Sequence, residues 1–213
     1  MNKLYSKVYG WLFVGLMLTF ATGAFLANYE NAIINLMSGL GYVIVVIVEL
    51  GLALFLSARI QRMSNSTAIF CYLLYSFVTG ISFSTIFMAF NMKSLILIFL
   101  VTAIVFGLCA LLSSLVKLPL ERLGYILFMM LLGIIIATLL NAFIGSSTID
   151  SVICVIAIIV FIGYIGYDIK KLSVLFNSLG EEKGAIYGAF QLYLDFINIF
   201  IYLLQIVGGN DNN

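Results

Sequence analysis

The chain has 213 residues, of which 64% are hydrophobic and only 9% are charged. Soluble domains are about 45–50% apolar and about 25% charged, so this composition excludes a soluble globular domain, a disordered chain and a nucleic-acid-binding protein. Ten Lys and Arg residues nearly balance nine Asp and Glu residues, and the chain has no histidine. Histidine metal sites and Ser-His or Cys-His catalysis are therefore excluded. The sequence predicts a protein that crosses a membrane several times.

Seven apolar stretches approach or exceed the length of about 20 residues that a helix needs to cross a bilayer. Backbone groups in lipid must bond internally, and the stretches lack the alternation of barrel strands, so each stretch is predicted to be a helix. The predicted spans are 8–27, 36–58, 68–90, 95–116, 123–144, 149–168 and 185–207. Every connection is short except 169–184, where the amphipathic stretch 170–179 allows the sixth helix to continue past Asp168. We expect a single seven-helix transmembrane domain that occupies 1–213.

The basic residues indicate how these helices are oriented. One predicted side of the membrane has a single basic residue, Lys93, and the other side has nine: Lys3, Lys7, Arg59, Arg62, Lys117, Arg122, Lys170, Lys171 and Lys183. Cytosolic loops of membrane proteins carry an excess of Lys and Arg. The amino terminus is therefore predicted to be cytosolic. After seven crossings the carboxyl terminus, near the acidic Asp211, is predicted to be outside.

Three carboxylates lie in or at the end of predicted spans, where ionisable side chains are costly and usually mark ion or proton paths. Glu49 lies in the second span, Asp168 at the predicted cytosolic end of the sixth, and Asp195 near the middle of the seventh. Arg59 ends the second span. Two of these residues have an alternative to a role in an ion or proton path. Arg59 could anchor the helix at the membrane interface, and Asp168 could cap a helix there. Of the three carboxylates, Asp195 most strongly indicates an ion or proton path.

The last span carries a polar stripe. Its members follow spacings of four, three, four and three residues, which places them on one helical face: Gln191, Asp195, Asn198, Tyr202 and Gln205. We predict that this stripe lines a water-filled path. Hydrogen-bonded contacts between helices are the alternative. Gly184 and Gly188 extend the line and indicate close helix packing.

Three segments resemble a known family. The residues 192–204, Leu-Tyr-Leu-Asp-Phe-Ile-Asn-Ile-Phe-Ile-Tyr-Leu-Leu, closely resemble the last helix of the Bax inhibitor-1 family, also called the transmembrane Bax inhibitor motif family. The segment that begins Ser57-Ala58-Arg59-Ile60, with Thr79-Gly80-Ile81-Ser82 further on, is similar to the family's junction between its second and third helices. Tyr167-Asp168 is similar to the end of the sixth helix. The resemblance covers essentially the whole chain.

The resemblance implies an architecture and a function. Bacterial members have seven helices, six of them packed around a central polar seventh, and are implicated in a pH-sensitive calcium leak. By analogy, Asp168 and Asp195 form a hydrogen-bonded pair that Arg59 engages as a latch, with Arg62 as the alternative arginine. Glu49 matches an acidic position of some bacterial members. The lysine-rich tail of eukaryotic members is missing, which favours a bacterial plasma membrane.

The resemblance also implies which ions the protein handles. No tightly bound cofactor is expected, and Ca²⁺ is the expected transported ion, with Asp195, Asp168 and Glu49 as its ligands. Calcium takes hard oxygen ligands, which carboxylates supply. Two neighbouring carboxylates cannot both ionise cheaply, so such a pair titrates as a unit. The expected partners are the lipid bilayer, Ca²⁺ and protons.

Three other functions remain open. A calcium–proton exchanger needs the same carboxyl pair, and a regulatory membrane protein acts by binding other membrane proteins. An intramembrane aspartyl protease also uses two aspartates, and Tyr167-Asp168 resembles its Tyr-Asp motif. However, Tyr193-Leu194-Asp195 replaces the Gly-x-Gly-Asp motif of that class, and no Pro-Ala-Leu motif follows. We therefore expect that the protein is not an enzyme.

Overall fold

The computed structural model describes residues 2–113 and 119–210, and within them the chain is helical with no strand. The α-helices are α1 (Asn2–Leu26), α2 (Glu30–Leu36), α3 (Gly39–Arg59), α4 (Asn65–Ala89), α5 (Met92–Leu112), α6 (Leu120–Ile144), α7 (Ser147–Leu179) and α8 (Glu181–Asn210). A single turn of 3-10 helix, Ile60–Arg62, follows α3. Seven of these helices, all except α2, are long and apolar enough to cross a membrane. The predicted all-α membrane fold with seven spans is confirmed.

The predicted helix boundaries agree with the structure to within a few residues at most ends. Local signals explain two of the starts. The Ser64 hydroxyl accepts a hydrogen bond from the Thr67 backbone N–H at 3.1 Å and caps α4. Pro119 immediately precedes α6, where its missing N–H costs no helical hydrogen bond. Lys117, Asp211 and the end of the predicted span 95–116 lie outside the described residues.

The predicted long connection at 169–184 is wrong. Helix α7 continues to Leu179 and α8 begins at Glu181, so only Gly180 separates the two helices. Gly180 has a φ of +79°, a left-handed conformation that glycine adopts without steric cost. Lys170 and Lys171 closely follow the predicted span 149–168. Their charges lower hydropathy but do not disfavour a helix.

The structure groups into two compact units, and the first comprises Met1–Leu95 and Leu172–Tyr193. Within it, hydroxyl groups connect α1 to α4 and α8. Thr19 Oγ1 donates to the Ser76 carbonyl at 2.8 Å and lies 2.5 Å from the Tyr193 hydroxyl, and the Tyr72 hydroxyl donates to the Trp11 carbonyl at 2.9 Å. These bonds satisfy polar groups that lipid cannot satisfy.

The two glycines at the start of α8 pack closely, as their spacing predicts. A Cβ atom added to Gly188 would collide with the Leu172 side chain, and one added to Gly184 would approach the Leu175 carbonyl oxygen to 3.1 Å. Both contacts join α8 to the end of α7 within the first unit. Small residues at such positions allow two helices to approach more closely than larger side chains would.

The second unit comprises Ile96–Lys171 and Leu194–Asn213. Its buried core is formed by apolar side chains of α6 and α7, namely Leu127, Ile134, Ile153, Ala157 and Val160. The Phe196 ring of α8 contacts Phe99 and Phe106 of α5, with ring centroids 5.3 and 5.9 Å apart. These contacts fix the part of α8 that follows Leu194. The single domain and the packing of six helices around the seventh stay predictions.

Candidate functional site: a buried carboxyl pair

Two acidic side chains of the second unit come together. The carboxyl groups of Asp168 on α7 and Asp195 on α8 lie within hydrogen-bonding reach of each other. Their residues are only 6% and 4% exposed. A carboxylate has no proton to donate, so a hydrogen bond between two carboxyl groups requires one proton. Two buried negative charges in contact are costly, which favours a pair that holds that proton between them.

The helix continuation past Asp168 allows this meeting. Asp168 lies twelve residues before Gly180, and Asp195 lies fifteen residues after it. At 1.5 Å per residue these positions are about 18 and 22 Å along their helices from the turn. Had α7 ended at Asp168, as the hydropathy predicts, the two carboxyl groups would have been at very different depths.

Asp195 is incompletely satisfied. Its Oδ2 atom is buried, and no N–H or hydroxyl group of the described residues donates a hydrogen bond to it. Buried acceptors without a donor are rare because each one forfeits its hydrogen bonds to water. A proton shared between the two carboxyl groups would add one donor to this environment. The arrangement therefore has a position for one exchangeable proton.

Sequence reasoning missed two residues that surround the pair. Lys171 interacts electrostatically with Asp168, and its Nζ atom also lies 5.2 Å from the centre of the Tyr167 ring. The Tyr164 side chain is close enough to interact electrostatically with both aspartates. Residues three or four positions apart share a helical face, and this spacing relates Tyr164 and Lys171 to Asp168. The signal was present in the sequence.

The other members of the polar stripe make local contacts. Gln191 Nε2 donates to the Tyr187 hydroxyl at 3.0 Å, and Asn198 Nδ2 donates to the Leu194 carbonyl at 2.7 Å. The Tyr202 ring stacks on Phe161, and Gln205 Oε1 accepts a bond from the Cys154 thiol at 3.2 Å. These contacts match the alternative role that the spacing suggested, hydrogen bonds within and between helices. Their lining of a path stays a prediction.

Glu49 belongs to the first unit and has a different environment. The Ser82 hydroxyl of α4 donates to Glu49 Oε2 at 2.9 Å. The structure thus makes Ser82, which was not among the predicted site residues, a partner of a carboxylate. Among the described residues, no three His, Cys, Asp or Glu side chains come together as metal ligands. The assignment of Asp195, Asp168 and Glu49 as calcium ligands stays a prediction.

The two candidate latch arginines also belong to the first unit. Arg59 is the last residue of α3, and Arg62 ends the 3-10 turn that follows. Both residues are exposed. Exposure suits an interfacial anchor as well as a mobile latch, so the latch role of Arg59 stays a prediction.

The fold and the buried carboxyl pair define a polytopic α-helical membrane protein with ionisable groups inside its spanning region. The family model described as "Inhibitor of apoptosis-promoting Bax1" matches residues 1–212. The chain therefore belongs to the Bax inhibitor-1 family. It is 36% identical to the inner membrane protein YbhL of Escherichia coli K12, over 96% of this chain and 90% of that protein.

Two further relatives have similar coverage. A protein of Borreliella burgdorferi is 32% identical over 100% of this chain and 94% of its own length. A membrane protein of Streptococcus pyogenes serotype M1 is 30% identical over 99% of this chain and 94% of its own length. The similarity thus extends over nearly the full length of proteins from distant bacteria. The predicted family membership is confirmed.

Proposed function

We propose that this protein is a pH-sensitive calcium leak channel of a bacterial cell membrane and that the Asp168–Asp195 pair belongs to its gate. The observation that carries the proposal is the contact between two buried carboxyl groups, one of which has an oxygen with no donor in the part of the chain that the structure describes. Membership of the Bax inhibitor-1 family is consistent with a transport or regulatory role in a membrane. Calcium is the proposed transported ion because it prefers hard oxygen ligands, which carboxyl groups supply.

In this mechanism the pair exists in two states. With one proton between Asp168 and Asp195, the pair is hydrogen-bonded and carries a single negative charge. Loss of that proton leaves two carboxylates that repel each other and attract cations. Movement of α7 relative to α8 at this position would then open or close the path. Arg59 is proposed to engage the ionised state as a latch.

Calcium flux through purified protein in liposomes tests the proposal. Liposomes containing a calcium indicator should show flux down the calcium gradient without ATP, and the rate should depend on pH. Empty liposomes and liposomes with the Asp168→Asn/Asp195→Asn double variant are the controls. Absence of flux above empty liposomes at every pH from 5 to 8.5 would refute the channel.

The same preparation separates the channel from its rivals. A calcium–proton exchanger would acidify or alkalinise the lumen in step with calcium, and a proton gradient alone would drive calcium uphill. A leak channel does neither. Cleavage of a membrane peptide, lost in both Asp168→Asn and Asp195→Asn, would instead indicate a protease. A purely regulatory protein would give neither flux nor cleavage.

The latch has its own test. Arg59→Ala should move the pH midpoint of calcium flux upward, because a positive charge that favours the ionised pair has been removed. Arg62→Ala is the matched variant three residues away. A shift in the Arg62→Ala variant alone would assign the latch to Arg62, and no shift in either variant would remove an arginine from the gate.

A further inference from the structure

A second polar cluster lies within the first unit. Its acidic member is Glu49, near the middle of α3. Its hydroxyl members are Tyr75, Thr79 and Ser82, which follow spacings of four and three along α4 and therefore share one helical face. Helix α4 has no lysine or arginine along its length, so it supplies Glu49 with hydroxyl groups but no positive charge.

Thr79 is the unusual member of this cluster. Its side chain interacts with the carboxylate of Glu49 and with the hydroxyl groups of Tyr75 and Tyr193. Yet its Oγ1 atom is buried and has no hydrogen-bond partner among the described residues, and the residue is only 3% exposed. Several polar groups lie near this oxygen without bonding to it. The oxygen is therefore placed where it could be one of several ligands of a bound ion. Buried polar atoms normally have hydrogen-bond partners, so this oxygen is available to a ligand.

We propose that Glu49, Thr79, Ser82 and Tyr75 bind one monovalent metal cation of the sodium type. Glu49 supplies two carboxylate oxygens, and the three hydroxyl groups each supply a neutral oxygen with a free lone pair. Cations of this class prefer such hard oxygen ligands. The inference does not depend on the calcium leak, because the cluster lies within the first unit and binding is measured without flux.

The charge of the cluster selects a monovalent ion. One carboxylate and three neutral hydroxyl groups neutralise a single positive charge. A divalent ion would leave a net positive charge within a spanning segment, which is costly in a lipid environment. The neighbours of Glu49 on α3 point to that environment, since Ile47 and Leu50 are 63% and 60% exposed. Calcium sites usually have more carboxylates than this cluster offers.

Radioactive sodium binding tests this site directly. Full-length purified protein in nanodiscs is titrated with ²²Na⁺ at pH 8.5 in a constant choline chloride background. We expect saturable binding of about one ion per chain that unlabelled Na⁺ displaces and choline does not. Equimolar Ca²⁺ should displace no more than a small fraction of the bound sodium. Displacement by Ca²⁺ at lower concentration than by Na⁺ would overturn the monovalent assignment.

Substitutions locate the bound ion. Glu49→Gln should abolish binding, whereas Glu30→Gln, a matched loss of a carboxylate in α2, should not change it. Thr79→Val should weaken binding at least tenfold, and Thr102→Val, a matched change at a buried threonine of α5, should leave it unchanged. If Glu49→Gln fails to fold, Thr79→Val and Ser82→Ala keep the test informative.

Two results would refute the inference. One is the absence of saturable sodium binding at both pH 7 and pH 8.5. The other is binding that survives Glu49→Gln and Thr79→Val. Binding that survives Asp195→Asn supports a site separate from the carboxyl pair, whatever the outcome of the flux assay. Loss of binding in Asp195→Asn alone would assign the ion to the pair.

Discussion

The substitution Asp195→Asn should remove most of the pH dependence of calcium flux. The amide that it introduces carries its own N–H donors, so it bonds to Asp168 at any pH and the shared proton is no longer needed. A single proton allows the gate equilibrium to change at most tenfold per pH unit, since one unit corresponds to about 1.36 kcal/mol. Between pH 6 and pH 8 that limit is about 2.7 kcal/mol, or roughly a hundredfold change.

Initial calcium flux into indicator-loaded liposomes, measured at half-unit pH steps, gives the slope. Wild-type protein should change by no more than tenfold per pH unit, and Asp168→Asn and Asp195→Asn should each flatten the profile to within about twofold. The double variant should add little, because both residues act on one proton. Asp150→Asn, a matched change at an exposed residue of α7, is the control. A wild-type slope in both single variants would refute the shared-proton argument and leave Glu49 as the next candidate sensor.

Three further predictions concern stability and topology. Tyr193→Phe should lower the free energy of unfolding by about 1–2 kcal/mol through loss of the hydrogen bond to Thr19. Tyr202→Phe, on the same helix, should lower it less. Thermal unfolding in detergent measures both effects. Gly188→Ala should lower the free energy of unfolding by about 1–3 kcal/mol because its Cβ collides with Leu172. Gly133→Ala, whose added Cβ meets no neighbouring atom of the described residues within 4 Å, should change that free energy by no more than about 1 kcal/mol. A membrane-impermeant thiol reagent applied to intact cells should label Asn213→Cys, and protection from it would place the carboxyl terminus in the cytosol.

The helical architecture follows from the sequence because lipid leaves the backbone few choices. Seven apolar stretches and the lack of alternation are enough to predict seven helices. The continuation of α7 past Asp168 is harder to predict from hydropathy, which measures compatibility with lipid and not helix formation. A helix can leave the hydrocarbon region without ending. The residue that ends α7, Gly180, is visible in the sequence, but a glycine does not by itself specify a one-residue turn.

The candidate site is only partly contained in the sequence. A carboxylate in a spanning helix is conspicuous, so Asp195 and Glu49 could be identified from composition alone. The partner of Glu49 could not, because small polar residues in membrane helices usually serve packing. Ser82 has no sequence feature that separates it from Ser76 or Ser84, which bond to the Tyr72 and Ile81 carbonyl groups of their own helix. Only the depth and rotation of α3 against α4 distinguish them.

The hydrogen bonds of Thr19 have a direction that constrains proton movement. A threonine hydroxyl has a single proton, and Thr19 gives that proton to the Ser76 carbonyl. The bond between Thr19 and Tyr193 must therefore be donated by the tyrosine. A backbone carbonyl accepts but cannot pass a proton onward, so a proton that reaches Thr19 from Tyr193 has no exit. The bond between Tyr193 and Thr19 is therefore a terminus for proton transfer and not a relay.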